Sequence, residues 1–203
     1  SKDGIYFISS SGGIFEYDLN SFKKIMTEQG LKHNEFISDI KLDDNGILWA
    51  AGNQGLYKID NDIVNKIYDK DNSDLENKQI LDLEFSRDGS LWLVQLNKVT
   101  RLLNDKIEDL TSFLKIPKSV QVYDIEFDNN GDIWLATNFG LGEYKNDSLV
   151  IYNEIDGTVQ PTINCAVTIG NSNEVIYSTY GSGFSIYDGE NFINYSTENG
   201  LSN

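Results

Sequence analysis

Three acids recur at one place in a repeated pattern and are the residues best placed to do chemistry: Asp39, Asp82 and Asp124. Each is the third residue of an alternating apolar stretch, beginning at Ile37, Ile80 and Val122. Carboxylates on successive copies of a repeat can converge on a shared axis. There they can bind a cation, or divide the acid and base roles of a glycosidase. They can equally accept hydrogen bonds from the backbone of the neighbouring copy, or face channel water.

Other chemical candidates are narrower. Asp128-Asn129-Asn130-Gly131-Asp132 resembles a calcium loop in composition, but the alternating acids and distant Glu of an EF-type loop are absent, which makes it a turn. His33 is the sole histidine, so any His base or multi-His metal site is confined to it or excluded. Cys165, the sole cysteine, allows no intramolecular disulfide and takes a core position. Gly181-Ser182-Gly183 is a strand connection, not a phosphate loop, and no cofactor is expected.

A second group lies in the loops that recur after each central strand: Asn53, Gln54, Asn97, Lys98, Asn138, Phe139, Tyr180 and Ser182. Loops on a rigid scaffold often carry function. Amides with an aromatic or two suit a neutral sugar, a peptide, or water alone. Phe139 and Tyr180 stand where the second copy has Asn53-Gln54, and their rings can stack on the apolar face of a sugar while Asn138 and Ser182 meet its hydroxyls.

The elements that position these residues form a repeat. Trp49, Trp92 and Trp134 are spaced by 43 and 42 residues, with Phe7 and Tyr177 expected to extend the series to five copies. Each full copy reads as four short strands. Strand A spans Ile37 to Leu42, Ile80 to Phe85 and Val122 to Phe127; a turn ending in Gly46, Gly89 or Gly131 follows. Strand B is centred on the Trp; strand C starts at Leu56, Val99, Leu141 and Phe184; strand D is shorter. Four hairpin-joined strands in about 42 residues make a β-propeller blade. The expected fold is therefore an all-β propeller segment with blades at residues 1–34, 35–77, 78–119, 120–162 and 163–203. The first begins at its turn, without strand A, which leaves an edge open to self-association. The closing Gly200-Leu201-Ser202-Asn203 repeats the lead-in to a blade, as in a piece of a larger propeller or a five-blade ring missing one inner strand.

At 203 residues and 39% hydrophobic, the chain can bury a core. Its net charge of −16 argues against nucleic acid and anionic membranes as partners, because the long-range field repels them.

Ile37-x-x-Ile40-x-x-Asp43-x-x-Gly46-x-Leu48-Trp49 followed by Gly55-Leu56-Tyr57, and Val122-x-x-Ile125-x-x-Asp128-x-x-Gly131-x-Ile133-Trp134 followed by Gly140-Leu141, resemble the two-component regulator propeller repeat. That resemblance implies the periplasmic or extracellular sensor region of a membrane-anchored, often hybrid, histidine kinase, for which glycan fragments are typical signals. It carries over no binding residue. The sequence reading is a non-enzymatic sensor or ligand-binding propeller, with a propeller-type glycoside hydrolase or lyase and a protein-interaction scaffold as alternatives.

Overall fold

In a computed structural model, residues 5–8, 13–25, 36–75, 79–95, 97–161 and 165–202 are described. His33, the opening turn Ser1 to Gly4 and the linker Gly30 to Asn34 lie outside them. Among the described residues, nineteen strands form five antiparallel sheets. The first sheet holds β1 (Ile5–Ile8), β2 (Ile14–Tyr17) and β3 (Phe22–Ile25). The second holds β4 (Ile37–Leu42), β5 (Leu48–Gly52), β6 (Leu56–Asp60) and β7 (Ile63–Tyr68). The third holds β8 (Ile80–Phe85), β9 (Leu91–Gln95), β10 (Lys98–Leu103) and β11 (Lys106–Asp109). The fourth comprises β12 (Val122–Phe127), β13 (Ile133–Thr137), β14 (Gly140–Lys145) and β15 (Ser148–Tyr152). The fifth comprises β16 (Cys165–Ile169), β17 (Val175–Thr179), β18 (Gly183–Tyr187) and β19 (Phe192–Tyr195). Every sheet pairs its strands in chain order, so each is an up-and-down blade of an all-β propeller. The first has three strands and begins at strand B, as the repeat predicts.

The blades hold their shape through turn chemistry and a central buried strand. Asp43 Oδ1 accepts hydrogen bonds from the backbone N–H groups of Asn45 and Ile47, and Asp128 Oδ1 accepts those of Asn130 and Asp132. A short polar side chain that satisfies its own turn in this way fixes the hairpin register. The turn also reaches the core: Trp49 Nε1 donates to Asp43 Oδ2 at 3.3 Å, and Trp92 Nε1 donates to Ser90 Oγ at 3.2 Å. All five residues of β5, β9 and β13 are buried.

Contacts divide the chain into two compact units, residues 1–93 with 101–108 and residues 94–100 with 109–203. In the first unit, one core joins Ile14 and Ile25 to Leu48, Ala50 and Tyr57. A second joins Trp49, Leu56 and Tyr68 to Ile80, Leu83, Leu91 and Leu93. In the second unit, Trp134, Ala136 and Leu141 pack on Cys165, Val167, Val175 and Tyr177. Trp49 and Trp134 are inter-blade core, and Cys165, 5% exposed, fills the core beside Trp134.

Register corrects two members of the aromatic series. Trp49 pairs with Lys41 and Lys58, and Trp134 with Glu126 and Glu143. In the first sheet the equivalent residue is Tyr6, paired with Glu16, not Phe7. In the fifth it is Ile176, paired with Thr168 and Ile186, not Tyr177. Successive strand residues point to opposite faces, so a one-residue shift changes the partner. Tyr177 therefore takes the place of Leu135 and packs beneath the preceding blade's Trp134.

Candidate functional site

The B–C connections of the fourth and fifth blades form the best-defined loop pair in the second unit. In the fourth blade, Thr137 Oγ1 donates to the Gly140 carbonyl at 2.7 Å and accepts from the Phe139 N–H at 3.2 Å. Asn138 then clasps the segment leading into β12. Its Oδ1 accepts from Gln121 N–H at 2.8 Å, its Nδ2 donates to the Ser119 carbonyl, and its own N–H reaches the Gln121 carbonyl. Gly140 lies at φ +132°, where a Cβ would stand 1.9 Å from the Tyr152 carbonyl oxygen, so the loop passes against β15 as only glycine allows. With the backbone and the amide both engaged, Phe139 is left projecting, 49% exposed.

The fifth blade repeats the frame with one residue more. Thr179 Oγ1 donates to the Gly183 carbonyl at 3.1 Å, and Gly183 approaches the Tyr195 carbonyl as Gly140 approaches Tyr152. Three residues, Tyr180 to Ser182, separate β17 from β18, where two separate β13 from β14. Tyr180 follows the strand at the place of the clasping Asn138 and is 79% exposed. The Thr137 carbonyl, two residues before Phe139, accepts from Tyr177 Oη and Cys165 Sγ of the fifth blade. Cys165 in turn pairs with Thr179, next to Tyr180. The two aromatic loops thus leave neighbouring blades at the same end. Burial pushes the Tyr177 phenol well above its ordinary range, with its Cys165 hydrogen bond adding to the shift, so the phenol stays neutral.

The other amides have a scaffold task. Asn53 mirrors Asn138: its Oδ1 accepts from Phe36 N–H at 3.2 Å and its N–H reaches the Phe36 carbonyl. The recurrence of Asn at the same place in two copies is the sequence signal for this clasp. Gln54 is half-buried, Asn97 takes φ +62° at the turn, and Lys98 pairs with Asp109 at 3.1 Å. Ser182 is partly buried beside Gly183.

The inner-strand acids bond backbone. Asp39 Oδ2 accepts from the Leu83 N–H of the next blade at 3.1 Å, and Asp124 Oδ2 accepts from Val167 N–H at 2.8 Å. These bonds tie adjacent inner strands together. Asp82 reaches Asp39 through a side-chain hydrogen bond. Burial raises the Asp39 pKa above its ordinary value, outweighing Lys41 and the N–H groups that lower it. Among the described residues no group of three His, Cys, Asp or Glu side chains is arranged to hold a metal ion.

A pH dependence follows. A carboxyl with a raised folded-state pKa binds its proton more tightly folded than unfolded, so it costs stability above that pKa and nothing once both states are protonated. Asp39→Asn keeps an oxygen for Leu83 N–H and removes the charge. It is expected to raise the melting temperature at pH 7, with the gain shrinking as pH falls toward 3.8, the ordinary Asp value. A variant less stable than the parent at pH 7 would show that the charge itself is needed.

The opposite end of the first unit carries two crevices of about 670 and 660 Å³, which share the Asp43-Asp44-Asn45 turn. Their acids are largely engaged. Asp105 pairs with Lys66 and Tyr68, Asp62 with Lys23, and hydrogen bonds from Ser86 and Ser90 hold Asp88 down to about 2. The Lys58 ammonium already lies 5.2 Å over the Trp49 ring.

Residues 117–139, from the lead-in of β12 through Phe139, match the family model described as the two component regulator propeller. Among solved structures, this propeller is similar to the extracellular domain of BT3049 from B. thetaiotaomicron, assigned to a hybrid two component system. The TM-score is 0.72 at 19% identity, over 98% of this chain and 29% of that one. It is also similar to virginiamycin B lyase from Staphylococcus aureus, with a TM-score of 0.62 at 18% identity, over 95% of this chain and 69% of that one. The WD40 propeller domain of Doa1 superimposes with a TM-score of 0.62 at 16% identity, over 84% of this chain and 55% of that one. At these identities the likeness is one of fold. The chain spans under a third of that extracellular domain, and no curated protein sequence matches it. No helix among the described residues is long and apolar enough to cross a membrane.

Proposed function

We propose that this propeller is the signal-binding part of an extracytoplasmic two-component sensor, and that it binds a neutral, ring-bearing ligand such as a glycan fragment without transforming it. One observation carries the reading: Phe139 and Tyr180 stand exposed on loops of adjacent blades at one end, while the surrounding backbone and amide groups are already bonded. A rigid frame that leaves two aromatic faces free fits stacking on an apolar ring face, with little ordering cost on binding. The repeat match across 117–139 and the likeness to an extracellular domain support the sensor setting.

The lyase reading has weaker support. One lyase in the comparison was rendered catalytically inactive by replacing a histidine, and the present chain has a single histidine, His33, outside the described residues. The inner-strand Asp39 and Asp124 are bonded to backbone.

Calorimetric titration with a panel of neutral oligosaccharides tests the proposal. Phe139→Ala with Tyr180→Ala is expected to weaken the binding found by about 10–100-fold, since two stacked rings contribute about 0.5–1.5 kcal/mol each beyond their area. The melting temperature should hold, because both rings are exposed. Lost stability with unchanged affinity would return the rings to the scaffold. Product formation abolished by Asp82→Asn would establish an enzyme instead.

A further inference from the structure

The two crevices of the first unit are copies of one repeat position. One blade supplies a wall through its central strands, and the next supplies its A–B and C–D turns. In the ladder, the residue paired with the central aromatic is Glu16 in the first blade, Lys58 in the second and Glu143 in the fourth. Both glutamates are engaged by tyrosine hydroxyls, Glu16 by Tyr6 at 3.4 Å and Glu143 by Tyr152 at 2.7 Å. Lys58 breaks the pattern. Its ammonium lies over the Trp49 ring, half-buried, and no hydrogen bond or ion pair reaches it.

Asp44, in the turn that borders the same crevice, is exposed, and its carboxylate likewise has no partner. Lys58 attracts Asp105 at range, but that carboxylate is already bonded by Lys66 at 2.8 Å and by the Tyr68 hydroxyl. All the lining of this crevice of about 670 Å³ belongs to the first unit. It therefore holds an unmatched cation and an unmatched anion beside an apolar wall of Tyr68, Phe85 and Leu103.

We propose that this crevice binds a small zwitterion, a peptide of two or three residues whose carboxylate meets Lys58 and whose ammonium meets Asp44. A small anion would meet the repulsion of a chain with net charge −16. A small cation would leave Lys58 facing a like charge. A zwitterion matches both groups and brings no net charge. The Lys58 ammonium has three N–H donors, so it can donate to a carboxylate while keeping its place over the ring. The volume falls within the range of small-molecule sites, and the apolar wall suits a short side chain. This site is separate from the Phe139 and Tyr180 loops, and neither reading depends on the other.

Titrating the ¹⁵N-labelled chain with dialanine, read by amide shifts, tests the proposal. Saturable shifts are expected at Asp44 to Gly46 and at Asn104, which line the crevice or adjoin its lining. N-acetyl-dialanine lacks the ammonium and dialanine amide lacks the carboxylate, so each should bind about tenfold more weakly than dialanine. The variants should match the blocked ends. Lys58→Gln should abolish the preference for a free carboxylate and keep that for a free ammonium, and Asp44→Asn should do the reverse. Asp44 is exposed and unbonded, so Asp44→Asn should fold as the parent does. It carries the test alone if Lys58→Gln, which loses the ring contact, lowers stability. The proposal is overturned if millimolar dialanine shifts none of these amides. It is equally overturned if free and blocked peptides bind alike, or if Asp44→Asn leaves the preference for the ammonium intact.

Discussion

Trp134→Ala is expected to destabilise the protein by about 3–5 kcal/mol, the range for removing a large buried aromatic from a packed core. The ring is 3% exposed and lies among Ala136, Leu141, Val167 and Tyr177. Tyr187, with its centroid 5.8 Å away, is tilted against it, and extends an aromatic cluster through Tyr152 and Phe192. The sheets on either side are hydrogen-bonded ladders that cannot collapse into the space, so the cavity term adds to the lost transfer energy. Urea unfolding would measure the loss as a fall in midpoint. Trp134→Phe should recover a large part of it. A loss under about 1 kcal/mol would mean that the Trp does not hold the fourth and fifth blades together.

Gly140→Ala is the second large effect. At φ +132° an L-residue is strained before any contact is considered, and the added Cβ would meet the Tyr152 carbonyl oxygen at 1.9 Å. That neighbour is backbone in a sheet and has nowhere to go. The expected cost is about 3 kcal/mol or more, combining a disfavoured conformation with displacement of β15. Gly46→Ala is the control, at φ +78° with nothing within 4 Å of the new Cβ. It should cost only about 1–2 kcal/mol, the left-handed penalty alone. Comparable thermal shifts for the two would show that the close approach to β15 does not matter.

The same two residues show how much could be read in advance. The Trp spacing, the turn glycines and the alternating strand A are local patterns with a fixed period, and they specify the blades, their order and the three-stranded first sheet. The third blade shows that the connection can be made otherwise. Lys98 stands where the others have Gly, and the positive φ moves back one residue to Asn97 at +62°. Register was not legible in the fifth copy, because Tyr177 satisfies an aromatic pattern from the wrong face. Only its pairing with Val167 and Ser185 reveals that. The candidate site divides in the same way. Asn53 and Asn138 look alike in sequence to any sugar-binding amide, and their scaffold role depends on Phe36 and Gln121, 17 residues earlier, lying beside them. The inner-strand acids needed a partner 43 or 44 residues ahead, a Val167 or Leu83 N–H that no single repeat contains. Exposure of Phe139 and Tyr180 is likewise a property of the assembled end and not of either loop.

Amide chemical-shift mapping tests the central claim most directly. A ¹⁵N-labelled chain titrated with a neutral oligosaccharide that binds by calorimetry should shift Thr137 to Gly140 and Thr179 to Gly183, with Leu83 and Val167 unmoved. Shifts centred on Leu83 and Val167, the N–H groups held by Asp39 and Asp124, with the two aromatic loops silent, would contradict it.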